Sequence, residues 1–423
     1  MKKSFTLGLI VAAVSVATTF AQSPFLQPLP TPTRVVVTST IPPAKTQPVR
    51  TPTPQYRPVP APTPIAGQPY RQPPQSSMAS NLNYKGFSFS QIKSKIAEAR
   101  RHLTARPLTI ASVEPVIFTS LIRVAFYDQN AKQIDSYVLT KDQFLAPNVG
   151  TVVLTAAGKQ VITRTIRGNG VNTPVIVTDV NGREHLPLVV QYPRENRGVL
   201  QEMAYYVSTH PGIVTPEVVN AGRFYVRNTI DIARDQLKTK GYPIQPKIAD
   251  MAERLATVEH VDHLRFRTEF HPNIYNDIFT LYALNEGQTY RYSVSSAGAG
   301  GMIQMIPPTY RMVRARFPNA NLMPDFVEGM RNHTNASQAM LLYIQMTWND
   351  LIASPTVINA LATGIATPEQ LMAAGYNSNP AKLPGYIKRG GAGWTNLIPR
   401  ETKIYLQIWD SLERAVYQTP RKL

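Results

Sequence analysis

At 423 residues and 43% hydrophobic, the chain is too long for one average domain and apolar enough for ordinary cores, which predicts two domains plus extensions. Its 44 Lys and Arg against 26 Asp and Glu leave a formal net charge of +18, pointing to a polyanionic partner such as a wall polymer, a membrane surface or nucleic acid. The absence of cysteine excludes disulfides, thiol chemistry and a lipid anchor on cysteine, and by itself leaves the compartment open.

In chain order, Lys2 and Lys3 precede an apolar run over about 5–17, and Thr19-Phe20-Ala21 offers a small-residue cleavage site. This pattern predicts a signal peptide over 1–21 and an exported protein, periplasmic or extracellular, and export disfavours a nucleic-acid partner. No later stretch is apolar for long enough to make a transmembrane segment. Residues 22–83 are rich in Pro, Thr, Gln and Ala, with basic but no acidic residues, and runs such as Pro58-Val-Pro-Ala-Pro-Thr-Pro64 favour extended polyproline II. They read as a disordered linker, either a plain spacer or a tether that touches a polyanion.

Residues 84–196 read as a β-rich accessory domain with an N-terminal helix. The helix falls over 88–103, with Ile92, Ile96, Ala99 and Leu103 on one face. Strands are expected over 116–127, 136–139, 151–154, 161–166, 175–178 and 186–192, separated by turn signals such as Ala157-Gly158 and Asn181-Gly182. Such spacing predicts a small antiparallel β sandwich or barrel. It carries no visible site chemistry; a structural role or a protein partner both fit.

From 197 to 423 the period turns helical. Thr215-Pro216 is a helix start signal, with the helix running to about Lys240, and another begins after Pro246 with Ile248, Met251, Leu255 and Val258 as its inner stripe. Glu259, His260, Asp262, His263, Glu269 and His271 then crowd one short segment, but no established zinc spacing matches, and solvated or core-edge histidines are the better reading. Neither a metal nor another cofactor is expected. Met340 to Trp348 is dense enough to be core, while Trp348 or Trp394 offers an aromatic face on which a sugar stacks.

Ile274, Ile278 and Tyr282 recur at four-residue steps, and the next step is Glu286, followed by Gly287 where a helix C-terminal glycine belongs. Apolar neighbours and the negative end of the helix dipole there would both favour a protonated carboxyl, which a general acid needs. The alternative is a solvated glutamate at a helix end before a flexible loop.

The stretch from Glu286 through Ser295, Gly298, Ala299, Gly301, Gln304, Pro307 and Thr309 resembles the signature of soluble lytic transglycosylases. That family has a Glu-Ser-x-Phe, then Ser-x-x-Gly-Ala-x-Gly-Leu-Met-Gln and a Met-Pro-x-Thr turn, and it shares the lysozyme-like fold with goose-type lysozymes. Tyr376-Asn377 resembles its Ala-Tyr-Asn-Ala-Gly motif, and Glu401-Thr402 with Tyr405 its closing Glu-Thr-x-x-Tyr. Gly287, Thr289 and Ser293 depart from it, as does the loss of Ala-Gly after Asn377. The resemblance implies an α+β multidomain protein ending in a mainly helical, lysozyme-like catalytic domain, whose partner is the glycan strand of peptidoglycan.

It also implies roles. Glu286 would be the catalytic acid and base, hydrogen-bonded by Tyr376, with Ser295, Gly298, Gln304 and Asn377 lining the sugar cleft and Glu401 supporting the glycine-rich loop or a neighbouring helix. The enzyme would cleave the MurNAc-GlcNAc β-1,4 bond and leave 1,6-anhydro ends, and Glu286→Gln would abolish their release. A lysozyme-type hydrolase on the same scaffold, or a non-catalytic wall-binding or assembly protein, are the alternatives.

Overall fold

A computed structural model describes residues 86–107 and 119–422, so the expected leader over 1–21 and linker over 22–83 lie outside the described residues. Ser88 opens helix α1 (Phe89–Ala105) through a capping box: Gln91 N donates to its hydroxyl, and Gln91 Oε1 accepts from its backbone N–H at 2.8 Å. Ile92, Ile96, Ala99 and Leu103 form the buried face, as their spacing predicts. At its far end the buried guanidinium of Arg123 donates to the carbonyls of Leu103 and Arg106, satisfying groups the helix leaves open.

Seven antiparallel strands follow: β1 (Leu121–Asp128), β2 (Gln133–Thr140), β3 (Gly150–Leu154), β4 (Gln160–Thr165), β5 (Val175–Asp179), β6 (Glu184–Asn196) and β7 (Val199–Tyr206). A short helix, α2 (Lys141–Leu145), joins β2 to β3. They make one curled sheet in the order β2-β1-β6-β5-β4-β3, with β7 also on β6. The long β6 is the hinge of this arrangement: its start pairs with β5, and its later part pairs with β1 and β7. Irregularities at Ala125/Phe126 and Arg194/Glu195 help the bend.

The architecture is therefore α+β, with a single half-barrel sheet in place of a two-layer sandwich. The reason lies in what covers each face. Ile122, Val124 and Phe126 alternate towards an inner cluster with Tyr137, Phe144 and Val177, while Ala125, Tyr127 and Leu188 pack with α1 on the other side. A helix does the work of a second sheet. The sheet also runs past residue 196, because β7 follows a tight Arg197-Gly198 reversal where a return to helical periodicity was expected.

The helical half comprises α3 (Pro216–Thr239), α4 (Pro246–Val258), α5 (His263–Thr268), α6 (His271–Asn285), α7 (Pro307–Arg316), α8 (Phe326–Arg331), α9 (His333–Ile352), α10 (Pro355–Ala362), α11 (Pro368–Asn377), α12 (Leu383–Gly390) and α13 (Arg400–Ala415). Thr215 caps α3, and Pro246 occupies the first turn of α4, as their start signals require. Met340, Leu341 and Ile344 of α9 are core, and Trp394 is buried with its indole N–H donating to Ile365 O, so Trp394 is no sugar platform. Among the described residues no helix is long and apolar enough to cross a membrane.

The two halves share their interior. Ala283 and Leu284 of α6 join the cluster beneath α1, and Asn285 bonds both the N–H and the C=O of Val207, each at 2.8 Å. Near the chain end, Arg421 reaches back to Asp231 on α3 at 2.6 Å and to Asp250 and Glu253 on α4 at 2.9 and 2.6 Å. Close approach of α3 and α6 depends on Gly222, where a Cβ would sit 1.8 Å from the carbonyl oxygen of Phe279. Backbone cannot yield as a flexible side chain can. Gly222→Ala is therefore expected to destabilise at the upper end of the roughly 1–3 kcal/mol typical of overpacking, read as a lowered denaturation midpoint at unchanged slope.

Candidate active site

Glu286 does not line the groove in which the other motif residues meet. The chain leaves α6 at this residue with φ of +45°, which turns the side chain away from the Ile274–Ile278–Tyr282 stripe, and Gly287 is not the residue that ends the helix. The carboxylate is 53% exposed and pairs with Lys93 Nζ of α1 at 2.9 Å. An ion pair this open contributes at most about 1 kcal/mol. Tyr376, expected on Glu286, donates its hydroxyl to the carbonyl of Ile303 at 2.7 Å instead.

The acid that meets the physical requirements stands at the end of an earlier helix. Along α4 the buried stripe of Ile248, Met251, Leu255 and Val258 leads directly to Glu259, the C-cap residue, whose N–H still bonds Leu255 O at 3.0 Å. Part of its surface reaches a groove of about 670 Å³, while protein atoms crowd the carboxyl on its other sides. Burial pushes its pKa from the ordinary 4.5 up to about 8. The Tyr405 hydroxyl, donating at 2.5 Å, works against that rise, and the negative charge of Glu401 adds to it. The C-terminal end of the α4 dipole acts in the same direction as burial. A carboxyl with a pKa of about 8 is roughly 90% protonated at pH 7.

The motif residues from distant parts of the chain converge on this groove. Ser295, Gln304, Tyr376, Asn377 and Glu401 all line it with Glu259 and Tyr405. The glycine-rich loop is held in shape by its own bonds: Ser295 N to Ala299 O at 2.9 Å, Ala299 N to Ser295 Oγ at 3.1 Å, and Gly300 N to Met305 O at 3.1 Å. The Gln304 amide donates to Gly301 O at 2.8 Å and to Ser293 Oγ at 3.2 Å. Gly298 is not in the lining. It occupies a left-handed turn, φ of +75°, that brings its neighbours Ala297 and Ala299 to the groove wall.

Glu401 behaves otherwise than expected. Among the described residues no hydrogen bond or ion pair joins it to the loop; it lies exposed in the groove and acts on Glu259 through its charge. The closing motif contributes structure through its next residue, since Thr402 Oγ1 donates to Asn377 Oδ1 at 2.8 Å. Thr309 and His263 also line the groove.

The histidines nearby are structural. His260 Nε2 donates to Met302 O at 2.9 Å, its ring stacks on Tyr290 at 3.4 Å, and burial drives its pKa down to about 3. His271 is bonded by Ser411 and Phe266, and Glu269 pairs with Arg265. Among the described residues no three His, Cys, Asp or Glu side chains stand together to hold a metal.

Comparisons of the chain with protein-family models, with curated proteins and with solved structures return no match.

Glu259 holds its proton more tightly folded than unfolded, so its contribution to stability is complete below about pH 4.5 and is lost as pH rises towards about 8. Two substitutions should move that pKa in opposite directions. Tyr405→Phe removes a donor that favours the carboxylate and raises it; Glu401→Gln removes a repelling charge and lowers it. Carbon-detected NMR titration of glutamate carboxyls, with Glu259→Gln to assign the resonance, reads both shifts.

Proposed function

We propose that the chain is an exported peptidoglycan lytic transglycosylase whose helical half is a lysozyme-like catalytic domain, with Glu259 as its acid and base. The observation that carries this reading is a buried carboxyl, its pKa pushed up to about 8, bordering a groove lined by the very residues that resemble the family motifs. The expected leader and the charge of +18 suit an anionic wall polymer, whose local concentration a positive surface raises.

The mechanism follows from one side chain working twice. Glu259 begins protonated and gives its proton to the bridging oxygen between the two sugars as that bond breaks. The substrate's N-acetyl group stabilises the sugar cation, the substrate assistance known as an exception to the two-carboxylate rule. Glu259, now a carboxylate, removes the proton of the C6 hydroxyl, which attacks the anomeric carbon and closes the 1,6-anhydro ring. No water is consumed, and the acid is restored. A pKa of about 8 suits the first step, and the Tyr405 hydroxyl stabilises the anion between the two. Ser295 and Gln304 on one wall, with Asn377 on the other, offer the polar groups that would orient the sugars.

A second reading rests on Glu401, a further carboxylate in the same groove. A hydrolase would use it to activate water, giving reducing ends that have gained water in place of anhydro ends.

Purified peptidoglycan with product mass analysis tests both. Glu259→Gln should lower release of anhydro products by at least the roughly 10²–10⁴-fold that general acid–base catalysis supplies, while Glu286→Gln keeps wild-type turnover. Full activity of Glu259→Gln would overturn the assignment, and hydrated reducing ends abolished by Glu401→Gln would establish the hydrolase.

A further inference from the structure

Glu259 does not stand at the end of its groove. A second cavity of about 420 Å³ borders the same residue, sharing Glu259 and Val261 with the first. The helical half provides part of its wall, including Asp262 and Tyr292. The rest comes from the sheet half: Asn169 and Asn172 from the turn before β5, Tyr192 and Arg194 from β6. The half-barrel is thus part of the cleft, and a chain-like substrate crossing the acid would enter this second arm.

The arm has a distinctive charge arrangement. Three guanidiniums surround the Tyr292 ring: Arg194 at 4.9 Å, Arg331 at 5.8 Å and Arg291 at 5.9 Å from its centroid. Glu202 of β7 pairs with two of them, Arg331 at 3.4 Å and Arg291 at 3.8 Å. Arg194, although cross-strand from Glu202, has no carboxylate partner among the described residues, and its two terminal nitrogens, unlike its Nε, are neither buried nor hydrogen-bonded there. Asp262, on the facing wall, spends a carboxylate oxygen on the Arg265 N–H at the start of α5. A half-buried arginine beside an aromatic ring, with donors unspent and facing a polar cavity, is suited to pairing with a carboxylate brought by a ligand.

We propose that this second arm binds the acidic peptide side chain carried by the glycan strand next to the cleaved bond, with Arg194 pairing a peptide carboxylate. The proposal rests on the transglycosylase reading for the identity of the strand. Arg194 is a binding and not a catalytic residue here, so its loss should appear in KM.

Glycan strands bearing their peptides, and the same strands stripped of peptides by an amidase, test it with the full chain. Arg194→Ala should lower the ratio of kcat/KM for peptide-bearing over stripped strands about tenfold, mainly through KM, with Arg194→Lys recovering part of the ratio. An unchanged ratio overturns the proposal, including the case where both substrates lose activity equally through damage to the fold. Should wild type cleave neither, the transglycosylase reading fails separately, and pelleting with peptide-bearing and stripped sacculi supplies the ratio. A preference for peptide-bearing sacculi that Arg194→Ala removes supports the arm, and binding that ignores the peptides or Arg194 sinks it.

Discussion

The hydrogen bond from Tyr405 to Glu259 is the contact around which the helical half is arranged. It joins α13 to the end of α4 across a wide separation in sequence, in surroundings where an ionised carboxyl is costly. The same junction brings Glu401 and Thr402 of α13 beside Asn377 of α11, so two motifs of the later chain meet the acid together. Tyr376 fixes the glycine-rich loop from the other side through Ile303. Each of these bonds is modest alone. Their joint effect is a carboxyl that is largely buried yet reaches the groove.

Much of the fold was legible. Local rules place α1, α3 and α4 to within a few residues, because a capping serine or threonine, a first-turn proline and a regular apolar stripe act over short range. The strands follow for similar reasons, whereas the covering of the sheet by α1 in place of a second sheet is a tertiary choice with no local mark. The sequence-level argument for the acid was physically sound, and the carboxyl whose surroundings meet its terms sits on a different helix. Two helices, α4 and α6, each carry a buried stripe that runs towards a glutamate, and an ungapped match to the motif favoured the later one. What separates them is a backbone angle: Glu259 continues the right-handed helical conformation, and Glu286 turns out of it at positive φ. A signal was present in Gly287 and Thr289, which break the expected residues after the acid, and Thr289 is fully buried with its hydroxyl on Leu281 O.

The placement of α6 also explains why an ungapped spacing misleads. The helix stands between the acid and the glycine-rich loop, packed closely against α3 through Gly222 and tied to the sheet by Asn285. It gives the sheet half a rigid seat, and so carries Tyr192 and Arg194 to the flank of Glu259. What chemistry needs is proximity in space, and α6 supplies it between elements far apart in sequence.

Arg421 gathers Asp231, Asp250 and Glu253 from α3 and α4, the second of which delivers Glu259. Arg227 of α3 also pairs with Glu253, at 3.3 Å, so two guanidiniums stand against these three carboxylates. One side chain thereby ties α3 to α4. Because Arg421 and Glu253 are both buried, added salt screens this tie far less than it screens the open pair of Lys93 with Glu286.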